Sequence, residues 1–239
     1  MNQDVLENYF RDQRVAIVGP SPHLIDSNRG HLIDQYDIVV RVNYFQTPTH
    51  IKCDYGSRTD VLFHNFGTSH MSALKKLIEN YPEDFNEVQF LACPLLYGTR
   101  NKEEDFMSWS DDHIGDVVHN AKEVNINNVP FYWIGPKKYQ KIYRELGCQP
   151  YSGSLTISVL LSLPIKELFI TGFTFYKGGK TVDDLYFDEY KTKNHKNRIP
   201  GHGGNSAERS FDYFLKMYKE NVSRIRVDSV LEKIIEDSV

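Results

Sequence analysis

The sequence predicts an α/β fold on a mostly parallel sheet flanked by helices. Short apolar runs alternate with helical stretches along the whole chain, the pattern of βαβ units. Runs such as Val15–Val18 and Ile38–Val40 are apolar at every position, as strands covered on both faces require. The 239 residues, 40% of them hydrophobic, fit one large domain with a full core, and no repeat or linker interrupts them.

The elements follow in order. Residues 4 to 12 read as a short polar helix. Arg14–Val18 is a buried strand, and Gly19-Pro20-Ser21-Pro22-His23 is a turn leading into a helical stretch that ends near Gln35. Asp37–Asn43 is a second buried strand. A loop with Gly56-Ser57-Arg58-Thr59 leads to a third, Asp60–Asn65. A helix over Ser69–Asn80 is capped near Ser69 or His70. Glu87–Cys93 is a fourth strand and Val129–Ile134 a fifth, with a helix over 113–122 in the polar stretch between them. Pro136–Leu146 is a helix with proline in its first turn and Gly147 at its end. After the Ser152–Phe173 stretch come about 30 polar residues, Thr174–Gly204, long enough for a functional loop. Asn205–Glu208 opens a helix, with Glu208 at capping-box spacing from Asn205. Val222–Val227 is a last strand, and Ser229 caps a last helix.

Bulk properties narrow the function. A net charge of -4 lacks the basic excess of nucleic-acid binders. Cys53, Cys93 and Cys148 form neither a disulfide framework nor a metal-ligand spacing. With no apolar leader and no run long enough to span a bilayer, the expectation is a cytoplasmic protein, with peripheral membrane contact left open. The pairs Asp111-Asp112 and Asp183-Asp184 are adjacent, so on extended chain their carboxylates diverge. They read as solvated loop acids, and no metal is expected.

The chemistry gathers at strand ends. Tyr151-Ser152-Gly153-Ser154 opens a helix that is apolar almost all round, followed by the strand Leu168–Thr171 and Gly172-Phe173. Free amides at such a helix start attract anions, and open α/β sheets bind ligands at strand carboxyl ends. The first strand runs into a single glycine, Gly19, where a dinucleotide fingerprint needs three, and no P-loop occurs. NAD and ATP are disfavoured, leaving a mononucleotide held differently or an ordinary turn. Arg41 is expected to pair with an acid such as Asp34 or Asp60. Asn43 and Asn65 end neighbouring strands, and their amides suit a phosphate or a base edge. His64 reads as a core or cleft histidine and His195 as a solvated one.

These stretches resemble a known family. Val15-Ala16-Ile17-Val18-Gly19 with Ile33-Asp34-Gln35-Tyr36-Asp37-Ile38-Val39-Val40-Arg41-Val42-Asn43 resembles the long sialylmotif of sialyltransferases, glycosyltransferase family 29. Gly56-Ser57-Arg58-Thr59 looks like the segment that follows it there. Ser152-Gly153 with Leu168–Phe173 resembles the short sialylmotif. Gly172-Phe173-Thr174-Phe175-Tyr176 and Gly201-His202 are similar to bacterial family 42 sialyltransferases.

The resemblance implies a single Rossmann-like domain over 1–239 of the GT-A-like sialyltransferase type. The loop at 174–204, rich in lysine and lying between a strand end and His202, is expected to be a mobile lid over an anionic donor. The resemblance also implies an inverting, metal-independent transfer from a CMP-sugar to a glycan or glycolipid hydroxyl. His202 would be the general base, and Tyr176 and Tyr186 would donate to the departing phosphate. Gly19, Pro20, Ser21, Asn43, Asn65, Ser152, Gly153, Ser154, Gly172 and Phe173 would line the donor site. Pro20 and Ile199 depart from the family 42 pattern, which leaves the sugar open between sialic acid and Kdo. The competing readings are an NAD- or SAM-dependent enzyme and a non-catalytic sugar binder.

Overall fold

The computed structural model describes residues 3–94, 111–177 and 206–238. Its centre is one seven-stranded sheet, parallel throughout. The strands are β1 (Arg14–Val18), β2 (Ile38–Val42), β3 (Val61–Phe63), β4 (Phe90–Cys93), β5 (Phe131–Trp133), β6 (Glu167–Thr171) and β7 (Ile225–Val227), in the order β5-β4-β3-β2-β1-β6-β7. All seven expected strands are present, most of them shorter than the apolar runs that announced them. The chain steps outward from β1 to β5, then returns to the other side of β1 for β6 and β7. The strand order therefore reverses between β1 and β6, where Val18 is in register with Thr171. Such a switch point opens a crevice at the strand carboxyl ends.

Side-chain alternation sorts the helices onto two faces. Val15 and Ile17 of β1, Ile38 and Val40 of β2, and Leu168 and Ile170 of β6 point to one face. There they meet α1 (Gln3–Phe10), α7 (Pro136–Leu146), α8 (Ser152–Leu161), α9 (Ala207–Glu220) and α10 (Ser229–Glu236). Val18, Val39 and Phe169 point the other way, towards α2 (Gly30–Asp34) and the one-turn helix α3 (Lys52–Tyr55). On that face Leu62 and Leu91 meet α4 (Thr68–Asn80), α5 (Pro82–Asn86) and α6 (Asp111–Val124). α1 is not merely polar: Leu6 and Phe10, one turn apart, are fully buried. α3 and α5 had no periodic signal, being only about one turn long.

α8 is buried along most of its length, Leu155, Ile157, Val159 and Leu160 being closed to solvent. This is what its all-round apolar sequence demands. Arg224 bonds the carbonyls of Leu161 and Leu163 at its end, placing a cation where the helix dipole is negative.

Three local expectations are corrected. Arg41, fully buried, pairs with no acid among the described residues. Its guanidinium donates to the carbonyls of Tyr55 (2.8 Å), Gly56 (3.1 Å) and Arg58 (3.2 Å) and to Thr59 Oγ1 (3.0 Å). Asp60 is taken instead by Arg58 at 2.9 Å, and Asp34 by the Ser57 and Arg58 amides. Arg41 thus stitches the 55–59 loop to β2 through hydrogen bonds alone. α9 is capped by Ser206, whose Oγ accepts from the Arg209 amide at 3.2 Å, so Glu208 is an exposed first-turn residue. α10 is capped by Asp228 rather than Ser229.

His64 is buried just past β3, as expected of a core histidine. Its Nδ1 accepts from the Phe66 amide at 3.0 Å. Burial first, then the nearby His70, pushes its pKa from 6.5 down to about 3. The unfolded chain therefore binds a proton at this residue below about pH 6.5 that the folded chain refuses until about pH 3. Stability falls with pH across that window, by about 3 kcal/mol at pH 4. His64→Asn is expected to flatten urea-derived stability between pH 6.5 and 4 by about that amount. An unchanged slope would assign the acid sensitivity to other groups.

Candidate functional site

The switch point is a crossing of two glycine backbones. Gly19 follows β1 and Gly172 follows β6. The Gly19 amide donates to the Thr171 carbonyl at 2.8 Å, and the Ser21 amide to the Gly172 carbonyl at 3.1 Å. A Cβ on Gly19 would lie 2.2 Å from the Gly172 carbonyl oxygen; one on Gly172 would lie 2.3 Å from that of Gly19. Gly172 also has φ +74°, a left-handed value natural to glycine. Both glycines are thus required by close backbone approach. Pro20 is half-buried and Ser21 buried beside them.

On one side of this crossing lies the start of α8. Tyr151 takes the cap position without any side-chain bond to the helix amides. The Tyr151 side chain thus leaves the first-turn amides of Ser152, Gly153 and Ser154 to other partners, and such amides at a helix start attract anions. Ser154 is buried and Ser152 half-buried. Gly153 has a packing role: a Cβ there would lie 2.8 Å from the Phe173 ring. The space that glycine leaves is thus closed on that side by an aromatic ring. Phe173 seats the α8 start against the end of β6.

Phe175 and Tyr176 follow with φ of +49° and +64°, consecutive left-handed residues that cost strain and must be held by their surroundings. Phe175 is held by stacking on Phe214, ring centroids 4.3 Å apart. The Tyr176 ring rests on Tyr151 at 4.5 Å. Tyr176 is thereby tied to the capping residue of α8, next to Ser152.

On the other side of β1, Asn43 and Asn65 stand just past the ends of β2 and β3. Asn43 is in the left-handed region at φ +66°, and its side-chain oxygen is buried without a partner among the described residues. A buried acceptor left unpaired is costly. Asn65 is committed differently: its Oδ1 accepts from the Gly67 amide at 3.0 Å, shaping the turn into α4. His202, Tyr186 and His195 lie outside the described residues. Among the described residues, no group of three His, Cys, Asp or Glu is arranged to hold a metal ion, and no helix is long and apolar enough to cross a membrane.

Sequence reasoning missed one cluster. His23 lies between Ser21 Oγ, 2.9 Å from Nδ1, and Asp228 Oδ2, 3.0 Å from Nε2. Asp228, 1% exposed, also accepts from Thr171 Oγ1 and the Gly172 amide (both 2.9 Å) and from the Val230 and Leu231 amides. Burial alone would raise its pKa, but the bonds and charge from His23 and the Leu231 and Gly172 amides outweigh that and hold it near 2. The order is the reverse of a hydrolytic triad, where serine meets Nε2 and aspartate Nδ1. Ser21 is also only 4% exposed. The one legible signal was an Asp between a strand and a helix, which reads as a cap. Nothing in sequence joins residues 205 positions apart.

The family model for glycosyltransferase family 29 (sialyltransferase) matches residues 7–219, from α1 to the last residues of α9. Among solved structures the chain is similar to a mammalian sialyltransferase in complex with Gal-beta-1-3GalNAc-ortho-nitrophenol. The two are 19% identical over 91% of this chain and 69% of that one, with a TM-score of 0.48. It is similar also to the sialyltransferase CstII from Campylobacter jejuni in complex with cytidine-5'-monophosphate. That likeness is 19% identity over 92% of this chain and 87% of that one, with a TM-score of 0.49. No curated protein sequence matches the chain. Because the family model covers β1 to β6 and well over half of the residues, the chain belongs to glycosyltransferase family 29, the sialyltransferase family, and is a CMP-sugar-dependent glycosyltransferase.

Proposed function

We propose that the chain moves a keto-sugar, sialic acid or a Kdo-like sugar, from its CMP ester to a glycan or glycolipid hydroxyl, with inversion and without a metal. The observation that supports this reading is the α8 start, where the N-cap residue Tyr151 makes no side-chain cap bond and packs on Tyr176, beside the β1/β6 switch point. CMP leaves with a single phosphate, so hydrogen-bond donors placed in advance can meet its growing charge. The amides of residues 152–154 and the Tyr176 and Tyr186 hydroxyls are assigned that work. The unpaired Asn43 oxygen is assigned to a donor group of the nucleoside, and Asn65 to the same nucleotide.

His202 takes the proton of the attacking hydroxyl, since imidazole accepts protons near neutral pH. The loop 174–204, most of which lies outside the described residues, is assigned the part of a lid that would keep water from competing with the acceptor.

A thermal shift tests the nucleotide. At about a hundred times its dissociation constant a ligand adds roughly 2.7 kcal/mol, or about 5–10 °C for a chain of this size. CMP is expected to give that shift. Stabilisation by NAD or S-adenosylmethionine in place of CMP would overturn the reading.

A further inference from the structure

The turn that leaves β6 is held by two helices. Phe175 stacks on Phe214, and the Lys177 ammonium lies 4.8 Å from the centre of the Phe211 ring. Both of those rings belong to α9. Tyr176, between them in sequence, instead meets Tyr151 at the start of α8, with ring centroids 4.5 Å apart and planes inclined at 39°. The Lys177 amide closes the turn on the Thr174 carbonyl at 2.9 Å. Two successive left-handed residues, Phe175 and Tyr176, make a sparsely populated backbone, so the ring contacts decide where this turn rests.

The two tyrosines are not equally fixed. Tyr151 follows the buried Pro150 and is the N-cap of α8, extended at φ -72° and ψ 151°. Its carbonyl accepts the Leu155 amide at 3.0 Å, so its backbone is tied to a helix buried along most of its length. The Tyr176 backbone sits on the left-handed turn, at the head of a long polar loop. The better-anchored residue sets the place of the other. Both are half-buried, so neither is closed off in the core.

We propose that Tyr151 is a positioning residue for departure of the nucleotide. Its ring, carried on the α8 cap, holds the Tyr176 ring so that the Tyr176 hydroxyl meets the departing phosphate beside the first-turn amides of α8. Tyr151 needs no contact with the donor for this and acts through Tyr176. A hydrogen-bond donor stabilises developing charge best when it is already in place and does not have to reorient. The ring contact supplies that placement on a turn whose own backbone is strained. This rests on the role given to Tyr176 in the function proposed above.

The test is a double-mutant cycle on the whole chain, read as kcat for CMP release with a glycan acceptor present and with CMP-sialic acid and CMP-Kdo each supplied as donor. Tyr176→Phe keeps the ring contact and removes only the hydroxyl. Tyr151→Ala removes the ring that aims it and is expected to lower kcat about five- to tenfold, the worth of one aromatic pair. Tyr151→Phe, which keeps that ring, is expected to stay within about twofold of the wild-type chain. In the Tyr176→Phe background, Tyr151→Ala is expected to cost almost nothing more, because the group it positions is gone. Tyr151→Leu enters the same cycle if the alanine variant does not fold. An equal loss from Tyr151→Ala in both backgrounds would reduce Tyr151 to a structural part of α8 and overturn its positioning role, with the donor site left standing. A Tyr176→Phe chain with wild-type kcat would take that hydroxyl out of the leaving step and overturn the positioning role with it. No CMP from either donor would overturn the proposed function as well.

Discussion

Gly172→Ala is expected to destabilise the chain by roughly 3–5 kcal/mol and to abolish donor binding in whatever remains folded. Two independent penalties meet at this residue. Its φ of +74° is one an alanine adopts only under strain. Its new methyl would lie 2.3 Å from the Gly19 carbonyl oxygen and 3.0 Å from Leu24. A backbone oxygen cannot rotate aside as a side chain does, so the β1 and β6 ends must separate. That separation breaks the Ser21–Gly172 and Gly172–Asp228 bonds. Gly135→Ala is the contrasting case: a Cβ there meets nothing within 4 Å among the described residues, and as the residue is the N-cap of α7 its cost is expected to stay near ~1 kcal/mol. Urea midpoints measure both. A wild-type midpoint for Gly172→Ala would mean that the crossing is looser than the structure has it.

His202→Ala is expected to lower kcat for sugar transfer by roughly 10² or more, the usual worth of general-base help. CMP affinity should stay close to that of the wild-type chain, because a base for the acceptor hydroxyl makes no contact the leaving nucleotide needs. The split between kcat and binding separates a lost base from a collapsed site. Steady-state transfer with a saturating acceptor, beside a CMP titration, reads both. Full transfer activity in the variant would remove His202 from the chemistry.

The parts of the fold legible in sequence were those fixed by period and punctuation. All seven strands announced themselves as apolar runs because the sheet is covered on both faces. α7 was legible because Pro136 and Gly147 bracket it. The order of the strands was not, since no local signal records that β6 returns to the far side of β1. Arg41 shows a different failure. A buried cation invites an expected carboxylate, yet five donors on a planar fork can be met by carbonyls and hydroxyls that no composition reveals.

At the site, the Gly19 and Gly172 turns were legible as glycines after strands, but the reason for each is the other glycine, 153 positions away. Gly153 was expected to line the donor site and proves also to be the seat of Phe173. The His23–Asp228 bond depends on two turns that meet only once the sheet is assembled. Ser229 drew attention as a cap because serine is a good one; the neighbouring Asp228 won because its carboxylate serves two helix amides and the β6 end together.

The central claim is that this crevice holds and cleaves a CMP-sugar. Its most direct test is release of CMP from CMP-sialic acid and from CMP-Kdo, with a glycan acceptor and a chelator present. CMP release from one of the two donors, accelerated by acceptor and unchanged by the chelator, is the predicted result. No CMP from either donor, or release that stops when divalent cations are removed, would contradict the account.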